Sequence, residues 1–285
     1  MSELVNQSNG NLFQDILKAA VQVPGVRISR TEFLRKSLSK HFQEDLVKLA
    51  IEANPARAGI TTKELNRIAK SSIDFETNKV TAISAATGFP GGIAMMATIP
   101  ADLTQYFAHV LRILQKLIYL YGWDDVFTKK DEIDDETMSL LTMFTGVMFG
   151  VEAANKLVYK LASNAAIRAN KVIAAKPLTQ GFIYPIVKRI ALAITGRMNK
   201  ALFAKGVSKA IPVIGAVASG GLTFITFKPL ANRLKKHLET LPIADVNFYK
   251  KQAEAGSGKL DIDISDIIEG DFDIVETDDT SDSDE

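Results

Sequence analysis

Residues Val80–Ala101, VTAISAATGFPGGIAMMATIPA, run for 22 positions without a charged side chain. A run of this length must leave water, either for a bilayer or for a protein core, and length alone would let a helix cross a membrane. Its chemistry argues for the core. Gly88-Phe89-Pro90-Gly91-Gly92 stands at its centre, where proline lacks a donor and fixes φ while glycine resists helix on entropic grounds. Ala, Ser, Thr and Gly dominate the remainder, so the hydrophobicity per residue is low for a span. The expected form is two packed helices joined by a tight turn, the first ending near Thr87 and the second starting near Ile93. A helical hairpin inserted part-way into a bilayer is the competing form.

The flanking sequence continues the helical pattern. Asn11–Val21 is amphipathic and stops at Pro24-Gly25. Ser29 with Glu32 has the form of a capping box, opening a helix with a stripe of Phe33, Leu34, Leu38, Phe42, Leu46 and Leu49 that ends at Asn54-Pro55. Thr61 with Glu64 repeats the signal. Asp102 reads as the N-cap of a helix over 103–120. The acidic stretch DDVFTKKDEIDDE lacks the glycine and ligand spacing of a calcium loop, so it reads as a solvated connection ending in an Asp134 N-cap. From Glu136 to Leu161 one long helix is expected, apolar nearly all round in its first half and therefore buried there. Gly146 and Gly150 would give it a flat strip for close packing. Helices punctuated by Pro177, Gly181, Pro185 and Gly196 follow, then a second uncharged run, Ala210–Phe227, again with Gly-Gly near its middle.

Strand signals are nearly absent before residue 250. The expected fold is all-α, a multi-helix bundle with Gly/Pro-rich helical hairpins. It divides into an N-terminal amphipathic helix and linker (1–28), a helical domain (29–250) and an acidic tail (251–285). Low hydrophobicity with high charge predicts disorder for the end of that tail.

The net charge of +1 conceals a separation. Residues 261–285 hold 12 Asp or Glu and no Lys or Arg. Without them, 34 basic face 21 acidic residues, a balance of +13. Between Glu152 and Glu239, positions 153–238 carry 15 Lys or Arg and no acid. Ordinary surfaces intersperse both signs, so this stretch points to an anionic partner. Anionic lipid fits through the interleaved apolar segments and aromatics such as Tyr159, Phe182 and Tyr184. Nucleic acid fits through phosphate contacts but ranks lower, because no helix-turn-helix, aromatic RNA motif or zinc module accompanies the charge. The candidate anion-contacting residues are Lys171, Lys176, Lys188, Arg189, Arg197, Lys200, Lys205 and Lys209. A third possibility is that these cations neutralise the acidic tail.

One further constellation could carry chemistry. Asp102, Tyr106, His109 and Arg112 follow at steps of four, three and three, which places them near one helical face. In a polar pocket Asp102 could act as base or cation ligand, Arg112 as anion clamp and His109 as proton carrier. Alternatively Asp102 is only a cap and Arg112 a buried partner of Glu152. No metal or cofactor site is expected, since His41, His109 and His237 lack ligand spacing. Cysteine is absent, and no phosphate loop or nucleophile elbow occurs. The N-terminal residues carry Glu3 and Asp15 and do not read as a secretory signal.

The combination of GFPGGIAMMATIPADL (88–103), HVLRILQKLIYLYGW (109–123) and IPVIGAVASGGLTFITFKPLANRL (211–234) resembles the EcsC family of bacterial proteins, in the family's order and over roughly residues 20–240. The resemblance implies a cytoplasmic protein at the inner face of the cell membrane, associated with an ABC-type transporter or envelope process, and no settled catalytic activity. The acidic tail lies outside the shared pattern. A soluble protein-interaction module using that tail is the alternative.

Overall fold

A computed structural model describes residues 13–87, 101–127, 133–167, 186–190 and 226–254. The fold is all-α: no strand occurs among the described residues. In chain order the helices are α1 (13–22), α2 (Arg30–Leu38), α3 (Glu44–Glu52), α4 (Thr62–Thr87), α5 (Ala101–Leu120), α6 (Asp135–Phe149), α7 (Glu152–Ile167), α8 (186–190), α9 (226–238) and α10 (Val246–Glu254). A 3-10 turn at Pro242–Ala244 precedes the last.

Helix α5 is the axis of this arrangement. Phe107, Val110, Leu111, Ile113, Leu114, Leu117, Ile118 and Leu120 are all fully buried, a broad apolar face that covers about half of the helix, while Gln105, His109, Arg112 and Lys116 lie on the other side. Each of the buried apolar side chains stabilises the fold by about 1.5–3 kcal/mol. Helices α2, α4 and α6 pack on α5, and α7 pairs with α6. A continuous core extends from Phe13, Ile16 and Leu17 of α1 to Tyr249 of α10. Phe13 meets Phe107 edge-on at 6.0 Å, and Phe107 stacks on Phe149 at 6.4 Å.

The helix boundaries follow local chemistry. Ser29 Oγ accepts the Glu32 N–H at 3.3 Å. Thr61 and Glu64 form the full reciprocal box, with the Thr61 N–H on Glu64 Oε2 at 2.9 Å and the Glu64 N–H on Thr61 Oγ1 at 3.4 Å. Asp134 caps α6 by accepting the Thr137 N–H at 2.8 Å. Helix α5 stops at Gly122, where φ is 96° and the Trp123 N–H returns to the Ile118 carbonyl at 3.0 Å. Helix α4 is described as far as Thr87, so the first boundary expected for the uncharged run falls at the edge of the described residues.

Two boundaries differ from the sequence expectation. The helix expected from Ser29 to residue 53 is two helices, α2 and α3, separated by a turn over 39–43. Ser39 and His41 are weak helix formers there, and Glu44 and Asp45 supply the negative charge that a new helix N-terminus favours. The break changes the helical phase, so Leu49 is 47% exposed while Val47 and Ala50 are buried. The helix expected over 136–161 is likewise divided, at Gly150. That residue takes φ of 79°, and the Val151 N–H closes onto the Gly146 carbonyl at 2.9 Å. Gly146 does serve close packing: a Cβ there would stand 2.7 Å from both Ala154 Cβ and Ile186 Cγ2. Helices α6, α7 and α8 therefore meet at this residue.

The turn at 88–92, the boundary expected near Ile93, most of 168–225 and the acidic tail from residue 255 on lie outside the described residues. Among the described residues, no helix is long and apolar enough to cross a membrane.

Candidate functional site

The polar group of interest lies between α4 and α5. On α4 the spacing Ile73, Glu76, Thr77, Val80 defines the buried face, which places an acid in an apolar stripe. Glu76 is completely buried. Three cationic or ionisable side chains from one face of α5 converge on it, at helical steps of three and four. Lys116 Nζ donates to Glu76 Oε1 at 2.6 Å, and Arg112 donates from Nη2 to Oε1 at 3.2 Å and from Nε to Oε2 at 3.4 Å. His109 Nδ1 faces Oε2 at 3.6 Å, beyond hydrogen-bond distance. Its Nε2 lies 3.3 Å from the Gln105 amide nitrogen. With that amide donating, Nε2 accepts and the ring proton sits on Nδ1, toward Glu76.

Burial pushes the Glu76 carboxyl up, but His109, Lys116 and Arg112 together outweigh it and hold the group well below the ordinary carboxylate range. For Lys116 burial wins: dehydration, aided by Arg112 and Lys79, lowers its pKa against the pull of Glu76. Lys116 also lies 5.9 Å from the Phe33 ring centroid and 5.2 Å from that of Phe75. Arg112 Nη1 donates to the Gly25 carbonyl. One turn on, Gln115 holds the same loop from within the core, donating to the Val26 carbonyl at 2.9 Å and accepting the Ile28 N–H at 2.9 Å. Helix α5 thus fastens both α4 and the 23–28 loop through its few polar residues.

The arrangement has clear chemical consequences. A carboxylate held this far below its ordinary range has little basicity at neutral pH. Arg112 directs Nε, Nη1 and Nη2 at protein oxygens, which is a fastening role rather than an anion clamp. The structure gives Arg112 a different carboxylate from the one the sequence suggested. Glu152 begins α7, its side chain is 81% exposed, and it pairs with Lys156 at 3.4 Å. Tyr106 turns toward α9, with its hydroxyl 3.4 Å from Thr226 Oγ1 and its ring edge-on to Phe227. Asp102 lies within α5, one residue past its first described position, so it stands in helical backbone rather than before the helix. Nothing in the sequence reading picked out Glu76 or Lys116. The available signal was an acid at a stripe position, four residues before Val80 and three after Ile73.

A second buried cation ties α2 to the end of α5. Arg30 donates from Nε to the Trp123 carbonyl at 2.9 Å and from Nη1 to the Ile51 carbonyl at 2.7 Å. Burial lowers its pKa, opposed by Asp124 and Asp125. Asp125 Oδ1 accepts from the Tyr119 hydroxyl at 3.0 Å, and burial pushes that phenol up.

Of the expected anion-contacting residues, Lys188 and Arg189 are described. Both are exposed on α8, above buried Ile186, Val187 and Ile190. Lys171, Lys176, Arg197, Lys200, Lys205 and Lys209 lie outside the described residues. Other cations of the 153–238 stretch have local partners. Lys156 pairs with Glu152, Lys228 with Asp74 at 2.7 Å and Lys235 with Glu239 at 2.6 Å. Arg233 caps α6 through the Met148 carbonyl at 2.8 Å. Among the described residues no group of His, Cys, Asp and Glu could hold a metal ion.

Family models, curated proteins and solved structures were all compared with this chain, and none matches it.

Proposed function

We propose that this is a peripheral protein of the inner face of the cell membrane, EcsC-like in character, that meets anionic lipid through the 153–238 stretch and supports a transporter or envelope process. The observation that carries the reading is the charge separation: 15 Lys or Arg and no acid over 86 consecutive positions. Each basic residue near an anionic surface contributes about 1 kcal/mol, so a few exposed cations suffice for reversible attachment. The exposed pair Lys188–Arg189 above a buried aliphatic triplet, and Tyr159 half exposed between Lys156 and Lys160 on α7, have the mixed cationic and aromatic character an interface favours. Attachment of this kind needs no membrane-crossing helix.

Vesicle flotation tests the proposal. The protein should float with vesicles containing phosphatidylserine, remain in the dense fraction with purely phosphatidylcholine vesicles, and detach at about 0.5 M salt as charges are screened. Equal behaviour with both vesicle types would favour the interaction-module reading. Exposed Phe75 on α4 and Leu49 on α3 are the observations that speak for that reading.

A further inference from the structure

We infer that the acidic stretch 261–285 docks within the same chain on the basic outer face of α7, competing there with the anionic partner proposed above. The inference rests on that reading only for its regulatory consequence; the docking itself follows from position, reach and charge.

Position comes from α10. Gln252 Nε2 donates to the carbonyl of Ile167 at 3.2 Å, which holds the last described turn of α10 against the last described turn of α7. The chain therefore leaves its last described helix beside α7. Reach follows from elementary dimensions. Lys160 stands seven residues before Ile167, about 10 Å back along the helix axis. The six residues 255–260 can extend to about 20 Å, so Asp261 comes within range of Tyr159 and Lys160.

Charge supplies the attraction. Lys156 and Tyr159 are exposed on α7 with Lys160 beside them, and Lys250 and Lys251 are exposed on α10 near the exit point. Lys188 and Arg189 are exposed on α8, whose Ile186 meets α7 across Gly146. Among the described residues, Glu152 pairs with Lys156 at 3.4 Å, and Glu254 is exposed on α10. Against this basic group the stretch 261–285 brings 12 carboxylates and no cation. Its opening, Asp261-Ile262-Asp263-Ile264, alternates so that an extended segment would turn carboxylates to one side and aliphatic groups to the other. That pattern suits a surface on which lysines flank an exposed tyrosine ring. The covering is electrostatic and local in concentration, hence reversible.

The chain contains no cysteine, so a spin-label pair can be introduced cleanly by Ser163→Cys on α7 and Ser265→Cys in the acidic stretch. Docking predicts a short, narrow distance population at low salt that spreads at about 0.5 M salt. It predicts the same spreading at low salt when Lys156→Glu and Lys160→Glu are added, with the far-ultraviolet circular dichroism unchanged. A broad distribution at every salt concentration, or a short distance insensitive to both salt and the lysine reversals, would overturn the docking. The lipid consequence is read separately on the full chain carrying Asp261→Asn, Asp263→Asn, Asp266→Asn and Glu269→Gln. If the docked form leaves about a tenth of molecules open, phosphatidylserine vesicles should bind this variant about tenfold more tightly. A docked stretch in a protein that ignores such vesicles in both forms would refute the lipid reading and leave the docking standing.

Discussion

Replacing Glu76 by Gln tests whether the buried cluster is a fastening. The side chain keeps its shape and loses its charge, leaving Lys116 and Arg112 to face an amide. Removing one partner of a buried ion pair costs about 3–5 kcal/mol, because the remaining charge is dehydrated and unopposed. Here the cations keep some water: Arg112 is 20% exposed and Lys116 12%. The lower end, about 3 kcal/mol, is therefore expected. In urea, followed by circular dichroism, a slope of about 3 kcal/mol/M puts the midpoint about 1 M lower. Adding Lys116→Met should recover part of the loss, since it removes a buried charge that no longer has a partner. The pH profile supplies an independent check. The folded pKa of Glu76 lies below its ordinary value of 4.5. Its stabilisation is therefore complete at neutral pH, declines once pH falls below 4.5, and vanishes only when Glu76 itself is protonated. The gap between wild type and Glu76→Gln should accordingly narrow on acidification. A loss under about 1 kcal/mol, the range of an exposed pair, together with a gap independent of pH, would refute this account of the cluster.

Gln115→Leu should cost about 2–3 kcal/mol by leaving the Val26 carbonyl and Ile28 N–H without partners, and amide exchange at Ile28 should accelerate. Gly146→Ala places a Cβ 2.7 Å from Ala154 and Ile186. The overpacking cost of about 1–3 kcal/mol should exceed the roughly 1 kcal/mol gained in helix propensity, giving a lower melting temperature. Asp134→Ala removes the N-cap of α6 and should cost about 1 kcal/mol in chemical denaturation.

Local signals carried the helix boundaries well, because a cap is written in three or four adjacent residues. Ser29 with Glu32, Thr61 with Glu64, and Asp134 all begin helices where their chemistry says they should. What local pattern could not show was phase and partnership. A continuous apolar stripe through Leu49 conceals the turn at 39–43, where only weak propensities and the acids Glu44 and Asp45 mark a new start. Gly150 read as packing surface because a glycine four residues after Gly146 serves equally as a strip or as a left-handed stop. His109 and Arg112 were picked out from their spacing on α5, but their shared carboxylate stands 33 and 36 positions earlier on another helix. Side-chain spacing defines one face of one helix; it does not say which helix comes to cover that face. The uncharged run that dominates the sequence also directs attention away from its neighbour. Helix α5, with a broad buried apolar face, is the element the described core is built around.

The most direct test of the proposed attachment is hydrogen–deuterium exchange of the full chain with and without vesicles. Phosphatidylserine vesicles should slow exchange across 153–167 and 186–190 and leave α2 and α3 unchanged, while phosphatidylcholine vesicles should change nothing. Protection confined to α3 and α4, around Leu49 and Phe75, or no protection in either lipid, would contradict it.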